Sequence, residues 1–309
     1  MPLLSLFALT ALSTAEAGSG RCTITSFGAS CTYRTTTLTT GSSGTVARDV
    51  HYQLPSGAAP ADGWPVVVIY QGSFMPAERT FSSSVWDMYG AYQLTRMVDE
   101  LLARGYAVVA PEAAYGGALY WQTNIPPFST SWWTATDAYL VQDLLDGLAA
   151  GTFGAIDTQN QFATGLSSGG YMASRMAVSY PGEFNALAIH SGSYATCAGG
   201  GLPCTVPTLP TDHPPTLFLV GAWDTIVPYY SMSPYLSRMA SQGHDYDLVY
   251  NVYGGHQWLS DAVTEIPDWF DLYLESTDIS TSALNSSNGG TDLIAYDKSF
   301  LLLNASRMN

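Results

Sequence analysis

Runs of apolar residues divide this chain into segments of two periods. Val66-Val67-Val68-Ile69-Tyr70 and Ala107-Val108-Val109-Ala110 are continuous apolar stretches of strand length. Such runs belong to strands covered on both faces. Ala186–Ile189, Thr216–Val220 and Leu248–Val252 repeat the pattern, whereas Val50, Tyr52 and Leu54 alternate with polar residues as in a half-exposed strand. Between the strands the period changes to that of a helix. Leu94, Met97, Val98, Leu101 and Leu102 form one stripe, preceded by Ser82–Ser84 as a candidate N-cap and ended by Gly105. Further helices are predicted over Thr136–Leu148, around Pro234–Ala240, and at Trp269–Leu274. Strands alternating with helices predict an α/β fold, with a mostly parallel central sheet covered by helices on both faces in one domain.

Two stretches lack a period. Gly18–Gly44 is rich in Ser and Thr and is expected to be a looped opening segment. Glu112–Trp133 is a long insertion carrying Tyr120, Trp121, Phe128, Trp132 and Trp133. Loops this long are functional or disordered, and the aromatic density argues against disorder.

The chemistry centres on Gly165-Leu166-Ser167-Ser168-Gly169-Gly170, which follows the apolar Phe162-Ala163-Thr164 and precedes a helical stripe through Tyr171, Met172 and Met176. Strand, G-x-S-x-G and helix form the context of a nucleophile elbow, in which a sharp turn raises the serine hydroxyl above the sheet edge. A serine needs a base to take its proton, and the base needs a carboxylate to fix its tautomer. In such sheets the order along the chain is Ser, then Asp or Glu, then His. Asp224 follows the Thr216–Val220 strand directly, and His256 follows the last strand in a glycine-flanked loop. Both lie where ligands bind in open α/β sheets, beyond the carboxyl ends of the strands. His244 lies at the opposite end of its strand, and Asp212, Asp245 and Asp247 are misplaced for the same reason. The backbone N–H groups of Ser168, next to the nucleophile, and of Ser73, after the Val66–Tyr70 strand, are the expected oxyanion donors.

Composition narrows the partners. The 309 residues carry a net charge of −15, only 11% are charged, and Lys298 is the one lysine. That balance excludes a phosphate-backbone binder, so no nucleic-acid partner is expected. A surface of Ser, Thr, Gly and aromatic residues suits uncharged, water-insoluble material. Leu3–Leu12 is too short to span a bilayer and is followed by Ala15-Glu16-Ala17, so residues 1–17 are expected to be a signal peptide and no membrane span is expected. Cys22, Cys31, Cys197 and Cys204 form two local pairs; of the three connectivities, the sequential one is expected in an exported chain. Neither pair has zinc-site spacing. Beyond Glu275 the composition turns to Ser, Thr, Asn and Gly, giving a catalytic domain over 18–275 and a tail over 276–309.

Four motifs bear a specific likeness: Tyr70-Gln71-Gly72-Ser73-Phe74, Trp121-Gln122-Thr123-Asn124, the elbow with Ser174-Arg175-Met176-Ala177-Val178-Ser179, and Ser191-Gly192-Ser193-Tyr194-Ala195-Thr196-Cys197-Ala198-Gly199. In these the chain resembles extracellular polyhydroxyalkanoate depolymerases, especially those acting on medium-chain-length polymers. The resemblance implies an α/β-hydrolase serine esterase without metal or cofactor, cutting a hydrophobic polyester outside the cell. It maps the triad onto Ser167, Asp224 and His256. Trp121, Trp132, Trp133 and Trp258 are the aromatic residues expected to line the substrate entrance. A carboxylesterase on feruloyl or acetyl-xylan esters, a prolyl-oligopeptidase-like peptidase and a non-catalytic binding protein remain alternatives at this point.

Overall fold

The computed structural model describes residues 19–41, 46–114, 120–198 and 204–275. The chain divides into two units, Met1–Glu275 and Ser276–Asn309. The expected signal peptide and the tail lie outside the described residues.

In chain order the elements are β1 (Cys22–Ile24), β2 (Gly28–Cys31), β3 (Arg34–Thr40), β4 (Val46–Gln53), β5 (Trp64–Tyr70), β6 (Ser82–Ser84), α1 (Ala91–Ala103), β7 (Ala107–Pro111), α2 (Thr136–Ala149), β8 (Ile156–Leu166), α3 (Ser168–Ser179), β9 (Ala186–His190), β10 (Thr216–Gly221), α4 (Tyr229–Gln242), β11 (Tyr246–Asn251) and α5 (Ala262–Asp271). Eight of the strands form one sheet in the order β3-β4-β7-β5-β8-β9-β10-β11. From β7 to β11 all neighbours are parallel, and β4 and β3 close one edge antiparallel. Successive side chains of a strand point to opposite faces. Val66, Val68 and Tyr70 therefore join the core under α2, α3 and α4, while Val67 and Ile69 join the core under α1 and α5. The unbroken apolar run of β5 is thus a consequence of cover on both sides. This is the α/β-hydrolase arrangement, a mostly parallel sheet with helices on both faces.

The opening segment differs from its expectation. It forms β1, β2 and β3, not loop, with Arg34–Thr40 paired in register against β4. Threonine is β-branched and favours strands, and an antiparallel edge strand needs no apolar run because one face meets water. Ser82–Ser84 likewise forms β6, paired with β2, and does not cap a helix. α1 starts later, at Ala91, after a left-handed Gly90. α4 runs from Tyr229 to Gln242 and contains the expected segment, whereas α5, Ala262–Asp271, lies earlier in the chain than expected.

Cys22 is bonded to Cys31 and Cys197 to Cys204. Among the described residues, no helix is long and apolar enough to cross a membrane, and no group of three or more His, Cys, Asp or Glu is placed to hold a metal ion.

Candidate active site

Ser167 joins β8 to α3 with φ 58° and ψ −121°, a backbone conformation costly for any residue with a side chain. The turn persists because the packing around it is tight. A Cβ on Gly165 would collide with the backbone of Gly169 and the Tyr70 carbonyl, and one on Gly169 would collide with the Tyr70 and Gln71 carbonyls. The glycines two residues either side of Ser167 thus let strand and helix approach. The Ser167 N–H donates to the His190 carbonyl at 2.9 Å, which ties the elbow to the end of β9.

Asp224 and His256 meet because β10 and β11 are adjacent parallel strands in register, Gly221 opposite Asn251. Their carboxyl ends emerge side by side, and the Trp223 N–H donates to the Gly254 carbonyl at 2.8 Å across the two loops. The His256 Nδ1 then lies 2.8 Å from Asp224 Oδ2 and 3.0 Å from Oδ1. The buried carboxylate fixes Nδ1 as the protonated nitrogen, which leaves Nε2 free to accept a proton. Burial alone would push the Asp224 carboxyl up. The bond from His256, the Val227 N–H at 2.8 Å and the His256 charge together hold it below the usual carboxylate range. The Tyr89 and His256 rings meet nearly perpendicular, with centroids 5.9 Å apart.

Ser167 and His256 line one depression of 220 Å³, together with Ser73, Phe74, Tyr89 and Ile226. A second, of 280 Å³, also reaches Ser167 and Ser73 and adds Ser168, Tyr120, Ile125 and Val227. The elbow, both serines chosen as oxyanion donors, Asp224 and His256 therefore share one end of the sheet.

The tryptophans are placed differently. Trp121 and Trp258 are fully buried and Trp132 nearly so, whereas Trp133 is 59% exposed. Three of the four expected entrance residues are therefore core side chains, a correction with a simple cause: an indole offers a large apolar area, and the N–H groups of Trp121 and Trp132 find partners inside. Trp121 Nε1–H donates to the Gln71 carbonyl and its backbone N–H to Ser168 Oγ, both at 2.9 Å. It braces the Gly72–Ser73 turn against the elbow. Trp121→Phe leaves the Gln71 carbonyl short of a donor, a loss of about 1–3 kcal/mol. Turnover of short and long esters is expected to fall in parallel, with a lower melting temperature; a loss confined to long esters would return Trp121 to the substrate.

Sequence reasoning missed the groups beneath the site. Arg175, about two helical turns beyond Ser167, is nearly fully buried and donates to Thr123 Oγ1 (2.9 Å) and to the carbonyls of Thr123 (2.8 Å), Ser129 (3.2 Å) and Ala195 (3.2 Å). Its guanidinium lies over the Trp132 ring, and burial lowers its pKa to about 10. A cation inside an otherwise apolar helix was the available signal. Arg175→Met leaves the Thr123 and Ser129 carbonyls without the arginine donor and the Ala195 carbonyl with only the Thr123 hydroxyl at 3.5 Å, each loss worth about 1–3 kcal/mol. Melting temperature is expected to fall by roughly 6 °C or more, at about 2–4 °C per kcal/mol; a shift within about 2 °C would contradict the anchor role. His190, at the end of β9, is fully buried against Trp258, and burial reinforced by the His256 charge lowers its pKa to about 3, so it stays neutral. Arg48 reaches Asp137 at 2.9 Å, and Asp137 accepts the Gln122 N–H at 2.7 Å, which fastens the other side of the aromatic insertion.

Known proteins share this architecture. The Esterase family model matches residues 45–232. A poly(3-hydroxyoctanoate) depolymerase of Pseudomonas fluorescens is 46% identical over 245 residues, covering 79% of this chain and 86% of that protein. Among solved structures, the feruloyl esterase module of Clostridium thermocellum aligns with TM-score 0.52 and 13% identity, over 88% of this chain and 95% of its own. The S-formylglutathione hydrolase of Staphylococcus aureus aligns with TM-score 0.53 and 13% identity, over 77% of this chain and 96% of its own. At those identities the likeness is one of fold. Matched by the family model over more than half its length and by the depolymerase over most of it, the chain belongs to the polyhydroxyalkanoate depolymerase family of α/β-hydrolase esterases and is a carboxylic ester hydrolase.

Proposed function

We propose that this is a secreted serine hydrolase that cleaves the ester bonds of a water-insoluble polyhydroxyalkanoate, of medium side-chain length, through an acyl-enzyme. Ser167 Oγ attacks the ester carbonyl carbon while His256 Nε2 takes the hydroxyl proton. The oxyanion so formed lies toward the N–H groups of Ser73 and Ser168, fixed donors that need no reorganisation as charge develops. Collapse breaks the carbon–oxygen bond to the leaving alcohol, which receives the proton from His256. Water then attacks the acyl-enzyme with the same base, and the acid leaves as Ser167 recovers its proton. Asp224 steadies the imidazolium in both halves.

The observation that carries the polymer reading is the surface around the cleft. Phe74, which lines the depression shared with His256, is 65% exposed, and Trp223 and Tyr253, on the loops that carry Asp224 and His256, are 72% and 91% exposed. Exposed, uncharged aromatic residues on the loops that carry the site suit an apolar solid better than a soluble, charged ester. The depolymerase relative supports the same substrate class, and two disulfides support an oxidising compartment. Trp223→Ala is expected to lower release of acid from a film several-fold while hydrolysis of a short soluble ester changes less than about twofold, as for other surface positions. Films of short- and medium-chain polyesters, with product analysis, test the reading. Faster release from the medium-chain film is expected, and hydrolysis of soluble esters without release from either film would make the protein a small-ester carboxylesterase.

A further inference from the structure

Two depressions meet at Ser167, and Ser73, Ser167 and Ile226 line both. Beyond those shared residues they diverge. The 220 Å³ depression holds His256 with Phe74, Tyr89 and Leu166. The 280 Å³ depression holds no part of His256; its walls come from Tyr120, Ile125, Pro126, Tyr171 and Val227.

The reaction assigns these two spaces. His256 must hand its proton to the departing oxygen, so the alcohol half of the ester lies on the His256 side of Ser167. The acyl half stays bonded to Ser167 Oγ after the alcohol has gone, and the water of the second step must reach the same Nε2 from the vacated side. The acyl half therefore occupies the space away from His256. We infer that the Tyr120–Ile125–Val227 depression is the acyl subsite and the Phe74–Tyr89–His256 depression is the alcohol subsite, with Ile226 as the ridge between them. This rests on Ser167 and His256 as nucleophile and base. In a polyester of 3-hydroxy acids the acyl side of any bond runs toward the hydroxyl end and the alcohol side toward the carboxyl end. The chain thus crosses the site in one direction, hydroxyl end over Ile125 and carboxyl end over Phe74.

Apolar walls read chain length: one methylene in an apolar pocket changes kcat/KM by about tenfold or more when the fit is close. Two variants, each lining one depression alone, separate the subsites on soluble esters. Ile125→Trp fills the acyl side. With a fixed alcohol, it is expected to lower the octanoate-to-acetate ratio of kcat/KM about tenfold and to slow deacylation of the octanoyl-enzyme, by the same methylene arithmetic. With a fixed acetyl group, its preference among alcohols is expected to hold within about twofold. Phe74→Ala opens the alcohol side and is expected to do the reverse: preference among ethyl, octyl and branched alcohols shifts, while the acyl ratio and the deacylation rate of the octanoyl-enzyme hold. Should Ile125→Trp fail to fold, Ile125→Ala gives the same reading through a change in the acyl ratio alone. Exchanged effects, or an equal change of both preferences by either variant, or no change by both, would overturn the assignment. Since every substrate here is soluble, failure to degrade a film would sink the polyester reading without touching the subsites.

Discussion

Ser167→Ala is expected to lower ester turnover by a factor of about 10⁴ or more, on soluble and polymeric substrates alike, while the protein folds with its melting temperature almost unchanged. The rate loss follows from removing the atom that becomes acylated; what remains is the contribution of oxyanion donors and binding. The unchanged stability follows from the backbone. Alanine keeps a Cβ, so it inherits the strain at φ 58° without relieving it. Ser167→Gly provides the contrast: it loses the same activity, and relief of strain worth roughly 1–3 kcal/mol should raise its melting temperature. Retention of a tenth of wild-type turnover by a folded Ser167→Ala protein would remove the elbow from the chemistry.

The second large effect is expected at Asp224. Asparagine fills the same space, but its amide no longer confers the charge that favours Nδ1–H, and an N–H facing Nδ1 selects the wrong tautomer of His256. A fall in kcat of about 10⁴-fold is expected, with KM little altered, since the carboxylate touches the histidine and not the ester. Stability adds a second readout with a defined sign. The folded carboxyl is held below its ordinary range, so the native state favours the ionised form. The resulting stabilisation is present above the unfolded value of about 3.9 and is lost as pH falls through the lower folded value. The stability gap between wild type and Asp224→Asn should therefore narrow as pH drops from about 6 to about 3. A gap that widens on acidification would mean that the carboxyl is held protonated.

Much of the fold could be read from the chain because the central strands are covered on both faces, and such strands announce themselves as unbroken apolar runs. Val66–Tyr70, Ala107–Ala110 and Ala186–Ile189 all lie within strands of the sheet. The edges were less legible. β3, with its run of threonines, gains its place from pairing with β4, and local composition alone resembles a loop. Ser82–Ser84 carries an N-cap signature yet becomes extended because Ser83 Oγ bonds Thr95 Oγ1 at 2.6 Å and the strand pairs with β2. At the site, Ser167, Asp224 and His256 were legible because each follows a strand end, where topology fixes position before any side chain is considered. The tryptophans were not, since a sequence gives an aromatic residue's area but not the side of the loop on which it lies. Trp121 and Trp132 turned inward beneath Arg48 and Arg175, whereas Trp133 stays exposed, as do Trp223 and Tyr253, which received no role from the sequence.

The measurement that bears most directly on the whole account is the site of acylation during turnover of a soluble 3-hydroxyoctanoate oligomer. The reaction is acid-quenched in the pre-steady state, and the protein is digested and mapped by mass spectrometry. An adduct of one or more 3-hydroxyoctanoyl units is predicted on the peptide carrying Ser167, absent from Ser167→Ala. Turnover with no adduct at Ser167, or with an adduct on another residue, would contradict it.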